Sequence, residues 1–373
     1  MRIAIDCHTL EIENWAGKEQ HLYNVVSELM KIDAEDEYVL YFRKPVDCFS
    51  QLPPRWRIRN FNLPTPLWQF VVLADALLKK IDLFFAPCTY LLPALNFFLP
   101  SVIIIFDLTT FLPVIKETHK RSTRWREFLL LKQAIKNSVC AVAISESTKN
   151  DAVGWFKIEA GKVKVIYPAA NRRFGAATGE GGDDEIIRKY KLPEKYILTV
   201  GTLEPRKNHL ALIDAFDALV RTGQAGDCRL VIAGKQGWFY QDIFRRVESL
   251  GLSKQVIFLG YVPDDDLPGI YKQAMIFVYP SLYEGFGIPV LEAMACGCPV
   301  ITSNISSLPE VAGQAAVLIE PTDPGRLAEE MWLLLNDPKR RESMIERGYI
   351  QAAKFSWERS ARELLAVFRS IGN

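Results

Sequence analysis

The chain has 373 residues, 49% hydrophobic and 24% charged, with 45 Lys plus Arg against 44 Asp plus Glu. That length is too great for one ordinary core and suits two domains with a cleft between them, and the composition excludes a chain dominated by disorder. A net charge of +1 leaves no whole-chain field to recruit nucleic acid.

Met1-Arg2-Ile3-Ala4-Ile5-Asp6 reads as a buried first strand without the cleavable apolar segment of a signal peptide, so a cytoplasmic protein is expected. The seven cysteines, odd in number and scattered through apolar runs, fit core thiols in a reducing compartment. Asn14 to His21 follows that strand and opens a helix. Further strands are predicted near Tyr38–Phe42, Ile58–Phe61, Leu83–Phe85, Val102–Phe106, Ala141–Ile144 and Val163–Ile166, with helices between most of them. The apolar stretch from Leu91 to Leu108 is broken by Pro93, Asn96, Pro100, Ser101 and Asp107, which argues against a membrane-spanning helix. Lys116, Lys120, Arg121, Arg124 and Arg126 interleave with Phe111, Leu112, Trp125, Phe128 and Leu129. Two readings stay open there: a solvated amphipathic helix, or peripheral contact with an anionic membrane. Ser145-Glu146-Ser147-Thr148 reads as an N-cap.

The glycine-rich stretch from Gly175 to Asp184 is the expected flexible connection near the domain boundary. A second α/β series follows, with strands near Tyr196–Val200, Leu230–Ala233, Val256–Leu259, Ile276–Tyr279, Val300–Ile301 and Ala316–Leu318. Both halves therefore read as parallel sheets covered by helices.

Two strand-to-helix junctions in this second series carry the chemistry. In Pro280 to Gly297, Gly285 and Gly287 allow a close backbone approach, and Pro289 suits a first helical turn. The free N–H groups of such a turn suit an anion. Glu284 precedes the helix and Glu292 lies about a turn inside it; in an almost wholly apolar helix an ionised Glu292 needs a partner, and a ribose diol would serve. A helix-start carboxylate and a solvated helical face are the plainer readings of the two. In Val200 to Asn208, Arg206 and Lys207 sit at a helix start, where the dipole disfavours cations; a bound diphosphate resolves the conflict. Cys296-Gly297-Cys298 has no second pair, the four histidines lack metal-like spacing, and Asp264-Asp265-Asp266 reads as a helix start at Leu267-Pro268, so no metal site is assigned.

These two segments resemble the retaining GT-B glycosyltransferases of glycosyltransferase family 4, and the likeness covers nearly the whole chain. Glu284 and Glu292 match the ends of the family's E-x7-E motif, and Gly201 to Asn208 match its phosphate-binding loop. The resemblance implies two Rossmann-like domains facing across a cleft: an acceptor-binding domain over 1–170, a nucleotide-sugar-binding domain over 171–355, and a terminal helix over 356–373 that crosses back to the first domain. It implies that Glu284 contacts the donor sugar, Glu292 the ribose, Arg206 and Lys207 the diphosphate, and the backbone of Gly285, Phe286, Gly287 and Ile288 the sugar and phosphate. Gly260-Tyr261-Val262 resembles the base-facing turn, Ala233-Gly234-Lys235 another nucleotide-lining loop, and Gly17 the glycine that meets donor phosphate or acceptor.

The chain departs from that pattern twice. Phe106-Asp107 stands where many relatives have His-Asp, which leaves Asp107 either touching donor sugar or acceptor, or capping the following turn. Thr202 stands where many have arginine, a charge assigned here to Arg206. The expected enzyme moves a sugar, mannose first, from a GDP- or UDP-linked donor to a glycan or lipid-linked acceptor, needing no metal or other cofactor. The alternatives are a nucleotide-sugar epimerase or phosphorylase-like enzyme on the same fold, and a non-catalytic nucleotide-sugar-binding protein.

Overall fold

The computed structural model describes residues 1–12, 15, 17–49, 51–96, 98–111, 121–175 and 183–372. Asn14, Ala16, Leu112, Lys116, Lys120 and most of the glycine-rich stretch after Gly175 lie outside the described residues, as does the side chain of Arg121. The chain divides into two compact units, Met1–Pro168 with Ser356–Asn373, and Ala169–Phe355.

The first unit holds a seven-stranded sheet in the order β3-β2-β1-β4-β5-β6-β7. Its strands are β1 (Arg2–Asp6), β2 (Glu37–Phe42), β3 (Trp56–Asn60), β4 (Leu83–Ala86), β5 (Ser101–Ile105), β6 (Cys140–Ala143) and β7 (Val163–Val165). Every pairing is parallel. The central strands are buried on both faces, which is why their sequences are runs of Ile, Val, Phe and Ala rather than alternating patterns. Two helices matter below, α1 (Gly17–Ile32) and α2 (Thr65–Leu78). After β6, the Ser145 hydroxyl accepts from Thr148 N–H at 2.9 Å and caps the helix over Glu146–Phe156, as predicted. The terminal helix Trp357–Gly372 belongs to this unit and packs on α1. Its Trp357, Ala361, Leu364, Leu365 and Phe368 are buried at helical spacing, and Arg369 reaches Glu35 at 3.0 Å.

The second unit has a six-stranded sheet in the order β10-β9-β8-β11-β12-β13, again all parallel. The strands are β8 (Tyr196–Val200), β9 (Arg229–Ala233), β10 (Val256–Gly260), β11 (Ile276–Tyr279), β12 (Val300–Ser303) and β13 (Ala316–Ile319). From β8 the chain lays down β9 and β10 on one side, then crosses over to β11, β12 and β13 on the other. The reversal falls between β8 and β11, and in open α/β sheets ligands collect at the carboxyl ends of the strands at such a point. Both predicted junctions open there, one running from β8 to the helix His209–Arg221 and the other from β11 to the helix Ile288–Ala295. The aspartate triplet does precede a helix, Leu267–Gln273, although Asp266 caps nothing and instead accepts from Lys189 and Tyr190.

Three glycines end β8, β9 and β10. Gly234 N–H donates to Gly260 O at 2.7 Å, and Gly201 N–H to Ala233 O at 2.9 Å. A Cβ on Gly234 would stand 1.8 Å from Gly201 O, so the two backbones touch where any side chain would separate them. Gly234→Ala is expected to cost about 3 kcal/mol of stability, the size of a severe core clash, measured by urea unfolding at unchanged m-value. A loss below about 0.5 kcal/mol would refute this packing.

Candidate active site

Asn208 starts the helix after β8 with φ +57°, a left-handed conformation that asparagine tolerates better than most residues. Its amide donates to Pro280 O at 3.1 Å and to Pro321 O at 2.7 Å, tying the β8 loop to the β11 loop. Leu282 N–H donates to Arg206 O at 2.8 Å, and the Arg206 guanidinium donates to Tyr283 O at 3.0 Å. The two loops are thus one structure. That is a consequence of β8 and β11 lying side by side.

Glu284 is the centre of this structure. It is buried, and its two oxygens are divided between Arg206 Nη1 at 2.6 Å and Lys207 Nζ at 2.7 Å. The Tyr279 hydroxyl donates to the same oxygen as Lys207, at 2.9 Å. Arg206 turns its other amino group to Glu204 at 2.6 Å. Burial alone would raise the Glu284 pKa, but the guanidinium and ammonium beside it hold it down to about 2. Burial likewise pulls Lys207 below the usual lysine value, and Glu284 offsets part of that. Two carboxylates and two cations therefore form a compact set with no net charge. Cations committed this way can change partner when a stronger anion arrives.

The helix Ile288–Ala295 begins just after Glu284 in the same loop. Gly287 takes φ +109°, and a Cβ there would meet Leu308 Cδ2 at 2.7 Å. The N–H groups of Gly287 and Ile288 have no backbone acceptor among the described residues. Ser307 fixes the loop from below, its hydroxyl lying 2.9 Å from Glu284 O and 2.7 Å from Phe286 O. Ser306 Oγ accepts from Glu284 N–H at 3.1 Å. The turn thus has its Glu284 and Phe286 carbonyls engaged by Ser307 while the N–H groups of Gly287 and Ile288 are left without a backbone acceptor, an arrangement that favours an anion.

Glu292 lies one turn into that helix. The partner it needs is present in the protein: Tyr271 hydroxyl donates to Oε2 at 3.0 Å. Burial nevertheless pushes Glu292 up to about 7, with Asp264 adding to the rise and Arg173 and the tyrosine opposing it. After β10, Tyr261 is exposed and Val262 buried, which leaves the Tyr261 ring accessible next to Gly260.

In the first unit the predicted residues are less concentrated. Gly17 is exposed at the first turn of α1, and Asp107 is exposed with Oδ1 accepting from Thr109 N–H at 2.9 Å, which is the turn-capping geometry. Phe106 meets the buried His21 ring edge-on at 5.2 Å. Sequence reasoning passed over Asp6, which is buried at the end of β1 and joined to His8 Nδ1 at 2.6 Å and Thr89 Oγ1 at 2.7 Å. This trio stands where β1 and β4 diverge, the switch point of the first sheet. Also missed were Tyr271, Tyr279, Ser306 and Ser307. Among the described residues no group of three or more His, Cys, Asp and Glu is arranged to hold a metal.

Two α/β units of this topology are the architecture of GT-B glycosyltransferases. Residues 183–351 match the family model described as glycosyl transferases group 1. O-antigen chain mannosyltransferase B of Escherichia coli is 32% identical over 283 residues, 74% of this chain and 73% of that protein. The serotype-specific mannosyltransferase WbdA of the same organism is 35% identical over 76% of this chain, which spans 35% of WbdA. Among solved structures, sucrose-phosphate synthase from Thermosynechococcus elongatus superposes with a TM-score of 0.79 at 19% identity, covering 99% of this chain and 98% of that one. HepE of Anabaena, solved with UDP-glucose, gives 0.77 at 18% identity, covering 99% and 100%. The chain belongs to the glycosyl transferases of group 1.

The raised pKa of Glu292 fixes the sign of a pH effect. Its folded value of about 7 exceeds the ordinary 4.5, so the folded state holds the proton more tightly and stability falls as pH rises from 4.5 to 7. Glu292→Gln removes that dependence. The difference in Tm between Glu292→Gln and the native protein should grow in favour of the variant across this window, by an amount equivalent to about 3 kcal/mol. A difference that stays constant with pH would contradict the protonation assigned to Glu292.

Proposed function

We propose that the protein is a retaining, metal-independent hexosyltransferase that takes mannose from GDP-mannose, with a UDP-sugar as the second candidate, and delivers it to a glycan or lipid-linked acceptor. The observation that carries this reading is the Glu204–Arg206–Glu284–Lys207 set near the start of a helix whose Gly287 and Ile288 N–H groups have no backbone acceptor among the described residues. When a nucleotide diphosphate binds, its β-phosphate takes over Arg206 and Lys207, through paired hydrogen bonds from the guanidinium and a point charge from the ammonium. Glu284, released from one or both cations, turns to the hydroxyls of the donor sugar. Gly285, Phe286, Gly287 and Ile288 supply backbone groups to sugar and phosphate. Glu292 takes the ribose, exchanging the Tyr271 hydroxyl for a ribose hydroxyl, while the turn at Tyr261 and Val262 and the loop at Gly234 receive the base. Asp107 and Gly17 are the residues proposed to serve the acceptor side.

Transfer breaks the bond from the anomeric carbon to the β-phosphate oxygen and forms one from that carbon to an acceptor oxygen on the same face. The acceptor proton passes to the departing phosphate. Negative charge grows on the leaving group as the bond breaks, so cations and N–H dipoles already fixed in place stabilise the transition state without reorganising. Arg206 and Lys207 then do the work for which other enzymes recruit a divalent ion. The mannosyl choice rests on the two mannosyltransferase relatives, whose likeness extends over about three quarters of this chain.

The test is transfer of labelled mannose from GDP-mannose to glycan and lipid-linked acceptors in the presence of EDTA, with the product's anomeric configuration read by NMR. Retained configuration at undiminished rate is expected, and Lys207→Ala should lower kcat by at least about 100-fold, the loss typical for a group that stabilises a leaving charge. Inverted product, or activity abolished by EDTA and restored by a divalent ion, would contradict the proposal.

A further inference from the structure

The Asp6, His8 and Thr89 set is a polar cluster that the transfer reaction leaves without a role. Asp6 closes β1, His8 opens the 3-10 helix His8–Glu11, and Thr89 lies just beyond β4. The next strand in the sheet is β5, followed closely by Asp107, so all these residues stand at the carboxyl ends of neighbouring parallel strands.

Asp6 is 2% exposed, and both of its oxygens are engaged. Oδ1 accepts from His8 Nδ1 at 2.6 Å and from the His8 backbone N–H at 3.3 Å, and Oδ2 accepts from Thr89 Oγ1 at 2.7 Å. The carboxylate thereby fixes the imidazole with a proton on Nδ1 and leaves Nε2 as the free end of the ring. Trp68 of α2 packs against the imidazole with ring centres 5.1 Å apart. Nε2 has no hydrogen-bond partner among the described residues and is not an enclosed atom, and the His8 side chain is 14% exposed, so this nitrogen opens to solvent. A carboxylate that only anchored the turn would be satisfied by Thr89 and the His8 N–H, and would not need an imidazole with one accessible end. Thr89, also partly exposed, gives its only hydroxyl hydrogen to Asp6, which leaves its oxygen as an acceptor.

Burial works against a charged His8 ring, but the hydrogen bond and charge of Asp6 raise its pKa above the ordinary 6.5. Nε2 therefore accepts when the ring is neutral and donates when it is charged; a hydroxyl group answers both states, a phosphate only the charged one. The local field points the same way. Asp6, Glu11, Glu19 and Asp107 act on His8, Cys88 and Tyr90, opposed by Arg43 and Lys18. Each of these cations already lies beside a glutamate, Arg43 3.3 Å from Glu11 and Lys18 3.7 Å from Glu19. Among the described residues the balance is negative, which repels an anion and leaves a neutral polyhydroxyl ligand unaffected.

We propose that His8 Nε2 and Thr89 Oγ1, both braced by Asp6, bind hydroxyl groups of a neutral glycan acceptor, and that this corner of the first unit selects such a sugar over a phosphorylated one. This rests on the reading of the chain as a transferase to a glycan. His8 and Thr89 are binding residues and Asp6 is a positioning residue; none of them takes part in bond breaking.

Saturation-transfer NMR of the full chain, with GDP or UDP present, tests this without turnover. The probes are methyl mannobioside, methyl lactoside, methyl chitobioside and a phosphorylated mannobioside. One of the neutral glycosides should bind the native chain at least about tenfold more tightly than the phosphorylated sugar. His8→Ala should weaken that binding about tenfold and Thr89→Val about threefold, the sizes expected for one hydrogen bond each, while nucleotide affinity stays native. His8→Gln, which restores a polar group near the place of Nε2, should recover most of the loss. A native chain that binds a neutral glycoside in this way but transfers nothing from GDP-mannose would count against the proposed donor while supporting the glycan site. No binding of any neutral glycoside by the native chain, or preference for the phosphorylated sugar, would overturn the proposal. So would a His8→Ala variant that binds as the native chain does, or that loses nucleotide affinity as well.

Discussion

A buried carboxylate shared by two part-buried cations is the interaction on which the site in the second unit depends. Taking Glu284, Arg206 and Lys207 out of water costs several kcal/mol per ion, and their mutual attraction repays it only with good geometry. That geometry is supplied from outside the cluster. Tyr279 donates to Glu284, Ser306 and Ser307 hold the loop backbone, Glu204 steadies the guanidinium and Asn208 ties the loops together. Removing one ion would leave the others uncompensated, whereas a diphosphate can replace a carboxylate as the cations' partner, with the released Glu284 satisfied by hydrogen bonds from the donor sugar's hydroxyls. The resting cluster and the proposed donor complex are therefore two solutions to the same electrostatic problem.

The fold makes this possible through strand order. The loops after β8 and β11 meet because the sheet reverses its direction of growth between those strands, and because glycine ends on β8, β9 and β10 let the neighbouring backbones close up beside them. The helix Ile288–Ala295 adds its N–H groups at the same place. Residues 75 or more positions apart in sequence thus surround one space, as with Arg206 and Glu284.

Much of this was legible in the sequence. Parallel strands buried on both faces are short apolar runs, and each run singled out, from Ile3 to Leu318, falls in a strand of one of the two sheets. Glu284, Arg206 and Lys207 stood out because charges at a strand-to-helix junction conflict with burial or with the helix dipole unless something pairs them. What stayed hidden was the identity of the partners. Tyr279 and Tyr271 end or flank apolar elements, where a tyrosine reads as core, and their hydroxyls acquire meaning only once sheet order places them against Glu284 and Glu292. Asp6, His8 and Thr89 are 83 positions apart at their extremes and converge only at the first sheet's switch point.

The central claim is that the cluster around Glu284 and the Glu292 carboxylate together form the seat of a nucleotide-diphosphate sugar. Calorimetric titration of the metal-free protein with a panel of GDP- and UDP-sugars, repeated on Arg206→Ala and Glu292→Ala, measures this directly. The account predicts tight binding of one donor class by the native chain and a loss of at least about tenfold in each variant. Native-like affinity in both variants would place the donor elsewhere and contradict it.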